Sequence, residues 1–175
     1  MTCLFELSIA LLITLLNGFF VMAEYSLVRI RKSRLDELIR QGKSRASTVL
    51  KMSEKLDTYL SATQLGITAS SLLLGWFGGP LLAEMFRGMF GISAGSWYDH
   101  SLVFACAFLI IVFLHVVFGE LVPRTIALGK VEQVAMAVAY PLVFFHYLLY
   151  PLVVLFNRIA HAVLCLLGVD PVPDE

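Results

Sequence analysis

The chain has 175 residues and no net formal charge; 59% of it is hydrophobic and 15% is charged, with a mean hydropathy of +0.84. A soluble domain carries about 45–50% apolar and about 25% charged residues. The balance therefore excludes a water-facing enzyme, a disordered tail and a basic nucleic-acid-binding module, and no nucleic acid is expected as a partner. At about 20 apolar residues per crossing, the length admits three or four spans of a lipid bilayer, and any soluble domain must lie on a longer parent chain. Cys3, Cys106 and Cys165 sit in apolar runs without CxxC or metal-ligand spacing and read as free thiols on helix faces.

The first apolar stretch, Leu7 to Val28, is too long for a signal-peptide core and reads as a retained transmembrane helix over about 4–28. Thr58 to Gly79 is uncharged and ends in Trp76-Phe77-Gly78-Gly79-Pro80, an aromatic interface marker followed by helix breakers, giving a second span over about 58–79. A third covers about 101–122, with Trp97-Tyr98 at the expected interface before it. Between 131 and 169 the chain is apolar but carries Pro141 and Pro151, with Tyr140, Tyr147 and Tyr150 among them. Proline removes a backbone donor and clashes with the preceding turn, so this part is expected as Pro-broken, juxtamembrane helices. Residues 170–175 read as the start of a linker.

Nine of the thirteen basic residues, from Arg29 to Lys55, fall between the first two spans, which makes that loop cytoplasmic. The fold expected is thus all-α, with three transmembrane helices, the N-terminus outside and the C-terminus cytoplasmic, multi-pass in the cell's inner (plasma) membrane. Within the basic loop, Leu35, Leu38 and Ile39 lie on one side of a helix and Arg34, Arg40 and Lys43 on the other, a pattern that suits a solvated helix held by anionic headgroups ahead of a specific lipid or nucleotide site.

Polar groups inside a bilayer are costly and usually face a partner or a water-filled cavity. Thr14, Asn17 and Glu24 share one face of the first span, and Ser61, Gln64, Thr68, Ser71 and Gly75 form a stripe along the second. Such a stripe serves either helix packing or a polar path. The third span ends in His115-Val-Val-Phe-Gly119-Glu120-Leu-Val-Pro123-Arg124. Pro123 has no N–H for the carbonyl four residues earlier, so the Gly119 oxygen is expected to be free beside the Glu120 carboxylate, a pair suited to a hard cation. The other reading is a kinked helix end with Glu120 paired to Arg124. His115 reads as an interhelical hydrogen-bonder rather than a ligand.

Asn17-Gly-Phe-Phe-Val-Met-Ala-Glu24-Tyr-Ser26-Leu, Arg29-Ile-Arg-Lys-Ser-Arg-Leu35, Tyr59-Leu-Ser-Ala-Thr-Gln64-Leu-Gly66-Ile-Thr68 and Gly119-Glu120-Leu-Val-Pro123-Arg124 together resemble the transmembrane domain of the CNNM/CorC family, in its bacterial hemolysin-type branch. The resemblance implies a homodimer that exports Mg²⁺, coupled to Na⁺, with a cytosolic CBS-pair module and a small C-terminal domain on the parent chain. It also implies metal ligands at Glu24, Ser26, Thr68, Ser71, Gly119 and Glu120, with Asn17, Gln64, Pro123 and Arg124 structural around them. Val21, Ile67 and Ser71 stand where the family's pattern has other oxygen-bearing side chains. No catalytic residue is expected, since no activated nucleophile is found beside a base. The rival reading is a non-transporting membrane anchor or sensor whose polar helix faces serve only dimer packing.

Overall fold

The structure, a computed structural model, describes residues 2–90 and 97–168. Every element among them is helical: α1 (Thr2–Arg29), α2 (Lys32–Arg40), α3 (Ser44–Glu54), α4 (Leu56–Phe90), α5 (Trp97–Leu114), a π-helical turn (His115–Leu121), α6 (Val122–Gly129) and α7 (Val131–Leu166). Lipid offers no hydrogen bonds to the backbone, and a chain this apolar satisfies its amides within helices. The linker residues 170–175 lie outside the described residues, as does 169, the end of the expected juxtamembrane segment.

Three stretches are long and apolar enough to cross a membrane: Leu7–Arg29, Phe108–Gly129 and Val131–Leu166. The second stretch continues past the expected end at 122, because α5, the π turn and α6 follow one another without a loop. The stretch expected as a second span, 58–79, lies within α4, whose 35 residues reach across a bilayer by length. Its first half carries Ser61, Thr63, Gln64, Thr68, Ser70 and Ser71 among the apolar residues. The break expected at Pro141 and Pro151 is not found: α7 runs unbroken through both. A proline deletes one bond of the ladder, and here buried Val134, Ala135, Val138, Ala139, Leu142 and His146 recur at helical spacing on both sides of Pro141. Packed against α1, α3 and α4, that stripe holds the helix through the missing bond.

Apolar side chains gain little by leaving lipid for each other, so helix association here depends on close contact. α1 meets α4 at Gly66, where a Cβ would stand 2.6 Å from ring atoms of Phe20. Phe20 is itself buried and wedged between Phe19 and Phe145, at centroid distances of 5.3 and 5.1 Å. At Gly18 a Cβ would stand 2.9 Å from Pro123 Cγ, which brings α6 against the same helix. These two contacts set the width of the space between α1, α4 and the π turn.

The basic loop folds as α2 and α3, and Leu35 and Leu38 are fully buried, as the amphipathic pattern requires. Gly42, at φ +80°, reverses the chain. Its N–H donates to Ile39 O (2.9 Å) and that of Lys43 to Leu38 O (3.1 Å), the paired bonds of a Schellman cap, for which a left-handed glycine is suited. Arg34 ties α2 to α7: its Nε donates to Glu132 Oε1 (2.7 Å) and an Nη to Oε2 (3.2 Å), while the guanidinium also pairs with Glu37. The bonds to Glu132, and then those to Glu37, raise the Arg34 pKa above its ordinary value.

Candidate cation site

A cavity of about 410 Å³ opens between α1, α4 and the π turn, lined by Val21, Glu24, Tyr25, Gln64, Ile67, Thr68 and Glu120. Each of the two long helices contributes positions i, i+3 and i+4, one face at 3.6 residues per turn. Glu24 is half-buried and close enough to Glu120 for the two charges to act on each other. Two carboxylates in one cavity repel, and a cation between them relieves that repulsion. Among the described residues no group of three or more His, Cys, Asp and Glu side chains is placed to hold a metal. The cavity therefore offers two carboxylates with the neutral oxygens of Gln64, Thr68 and Tyr25, a donor set for a hard cation.

Of the six expected ligands, Glu24, Thr68 and Glu120 meet in this cavity and Ser26, Ser71 and Gly119 do not line it. Ser26 is fully buried and donates to Ala23 O at 3.1 Å. Ser71 donates to Ile67 O at 2.8 Å and stands 3.1 Å from His115 Nε2, so His115 is the interhelical hydrogen-bonder expected of it.

Gly119 is the clearest departure. Its carbonyl is not free, because buried Asn17 donates to it through Nδ2 at 2.8 Å. In the π turn the Val122 N–H reaches back five residues to Val117 O, and Pro123 has no N–H to offer. A side-chain amide from α1 thus stands in for the N–H that residue 123 cannot offer. Asn17, expected as structural, is thus the residue that pins the turn carrying Glu120, and buried Pro123 packs on α1 beside it.

Glu120 and Arg124 form no ion pair within 4.0 Å in the structure. The Arg124 guanidinium lies over the Tyr25 ring, 4.7 Å from its centroid, a cation–π contact that leaves Glu120 to the cavity. Sequence reasoning missed Tyr25. The signal available was its position beside Glu24 and four residues after Val21, on the face that lines the cavity.

The family profile of the Cyclin M transmembrane N-terminal domain matches residues 7–175. The chain belongs to the CNNM family. This family is associated with membrane cation transport, and its members among curated proteins include the UPF0053 protein YhdT of Bacillus subtilis, 40% identical over 91% of this chain and 35% of that protein. UPF0053 protein YrkA of Bacillus subtilis is 37% identical over 97% of the chain and 39% of its own length. The uncharacterized protein Rv1841c of Mycobacterium tuberculosis is 39% identical over 93% and 46% respectively. This CNNM chain thus spans under half the length of these relatives.

Proposed function

We propose that this domain transports divalent cations, exporting Mg²⁺ in exchange for Na⁺, and that the cation passes through the cavity between Glu24 and Glu120. The observation that carries this reading is the meeting of those two carboxylates with Thr68 and Gln64 in one space large enough for a hydrated ion. Mg²⁺ demands about six oxygens at roughly 2.0–2.1 Å and gives up water reluctantly. With Val21 and Ile67 as apolar wall, the ion keeps several waters and the protein supplies charge rather than a full cage. Na⁺, also hard but singly charged, competes for the same carboxylates. In proteoliposomes the protein should dissipate an imposed Mg²⁺ gradient faster than empty vesicles; no difference would favour the anchor or sensor reading.

The proposed topology places the basic loop in the cytoplasm, with α1, α4 and the continuous α5–α6 crossing. Helix α7 then lies along the loop-side rim: Glu132 bonds Arg34, the Tyr140 ring faces Arg45 at 5.6 Å and His146 stacks on Tyr59 at 4.4 Å. These contacts spread over about 21 Å of α7 and involve residues of α2, α3 or the start of α4, while Phe145 of the same stretch packs on Phe19 and Phe20 of α1. In sealed cells, a cysteine placed at exposed Ser44 should react only with membrane-permeant maleimides; labelling by an impermeant reagent from outside would reverse the orientation.

The working unit we propose is a homodimer in the plasma membrane, attached in the parent protein to a CBS pair and a small C-terminal domain. Support comes from the resemblance and from the aromatic surface at the end of the second span on α4, where Trp76 is 79% exposed. Light scattering of the detergent-solubilised protein should give twice the chain mass, and a monomeric mass at every concentration would remove the dimer.

A further inference from the structure

On the loop side, away from the cation cavity, a second space of about 490 Å³ lies between the end of α1, the start of α2 and the start of α7, with Arg29, Arg31, Ser33, Arg34, Glu37 and Glu132 on its wall. Its charges are unevenly matched. Both carboxylates are engaged by Arg34, whereas Arg29 and Arg31 are exposed and make no ion pair in the structure. Lys43 is also close enough to Glu132 to act on it electrostatically. The backbone adds to the same sign: α2 begins next to the cavity, Arg31 at its N-cap position provides no side-chain acceptor, and with the Arg34 and Leu35 N–H groups both on the Arg31 carbonyl (3.0 and 3.2 Å) the amides of Lys32 and Ser33 are left at the positive end of the helix.

Depth narrows the ligand class. Arg29 is the last residue of the apolar stretch Leu7–Arg29 that is long enough to cross a membrane, and Arg31 and Ser33 follow within one turn's length of chain. The cavity therefore sits where hydrocarbon gives way to headgroups, and two guanidiniums there present planar forks matched to phosphate oxygens. We propose that Arg29 and Arg31, with the Ser33 hydroxyl and the amides at the start of α2, bind a phosphate group, that of an anionic phospholipid headgroup or of a soluble phosphate. The Arg34–Glu132–Glu37 cluster is the wall that fixes the pocket: by occupying both carboxylates it keeps them from neutralising the two free arginines.

The test uses the purified chain in detergent, with phosphatidylglycerol, phosphatidylcholine or inorganic phosphate as probe, read by native mass spectrometry and by thermal shift. Phosphatidylglycerol is expected to bind and to raise Tm more than phosphatidylcholine. Arg29→Gln/Arg31→Gln should weaken that binding by roughly tenfold or more through the loss of two charge-assisted forks. Lys51→Gln/Lys55→Gln, which removes the same charge elsewhere on the loop side, should change it less than about twofold if the effect is local rather than a surface potential. Arg29→Lys/Arg31→Lys keeps the charge and the fold and should still lose most of the binding. Displacement of the lipid by inorganic phosphate makes the site a general phosphate site, and retention of the lipid against it makes the headgroup the ligand. Equal losses in the two Gln pairs, full binding by the Lys pair, or no preference for phosphatidylglycerol over phosphatidylcholine would each overturn the proposal.

Discussion

Glu120→Gln is expected to abolish both Mg²⁺ flux in proteoliposomes and the rise in Tm on adding Mg²⁺, with Glu120→Asp weakening both. The cavity holds two carboxylates and neutral oxygens, so a divalent ion is held chiefly by charge. At about 4 Å and an effective dielectric of about 20, each product of unit charges is worth about 4 kcal/mol. Removing one carboxylate facing a divalent ion therefore costs up to about 2–3 kcal/mol once solvent screening of the exposed Glu120 is discounted, or about two powers of ten in Kd. Glutamine keeps the shape and one oxygen, so loss of function in that variant reports charge rather than packing. Glu24→Gln should behave alike, since the two residues share the cavity, while Gln64→Leu removes only a neutral donor and should cost far less. If Glu120→Gln retained full Mg²⁺ flux with an unchanged elution profile, the cavity would not be the path, and the meeting of the carboxylates would be only structural.

The carboxylates could be read from the chain because acidic residues in apolar runs are rare, and helical spacing alone puts Thr68 on the same face as Gln64. The bonding of the π turn could not. Pro123 reveals that a backbone bond is missing, but its replacement comes from Asn17, 102 residues earlier than Gly119, and no local pattern records that distance. The same holds for Ser71, whose place in the polar stripe is legible while its partner, His115, lies 44 residues on. Arg124 misleads in the opposite sense: i,i+4 spacing to Glu120 suggests a pair, and the Tyr25 ring on another helix takes the guanidinium instead. In α7 the prolines are strong local signals of a break, overridden by a buried stripe whose apolar spacing was visible but whose partners were not. Local chemistry thus supplied the ingredients of the site, and contacts between distant segments decided which oxygens face it.

Gly119→Ala is expected to lose cation binding although both carboxylates remain. A Cβ there would stand 3.0 Å from His115 Nδ1 and 3.2 Å from Asn17 Nδ2, so the ring and the amide must each give by a few tenths of an ångström, which stretches the 2.8 Å bond to the Gly119 carbonyl. With Pro123 unable to donate, weakening the Asn17 bond exposes a buried carbonyl to the cost of an unmade hydrogen bond, which reaches about 1–3 kcal/mol when the bond is lost outright. Four-residue bonding offers no rescue, because the residue four on is Pro123, which has no N–H, so relief of the Gly119 carbonyl requires the turn itself to move. Glu120, the next residue, would then leave the cavity. Asn17→Ala removes the same bond without the clash and should lower Tm and Mg²⁺ flux together. Adding Pro123→Ala to Asn17→Ala restores a backbone N–H within reach of the Gly119 oxygen, so the double variant should recover Tm relative to Asn17→Ala. It should not recover flux, because the restored bond belongs to an α-helical register that aims Glu120 elsewhere. Equal Tm values for Asn17→Ala and the double variant would show that the Gly119 carbonyl is not the group left wanting, and that Asn17 holds the turn through some other contact.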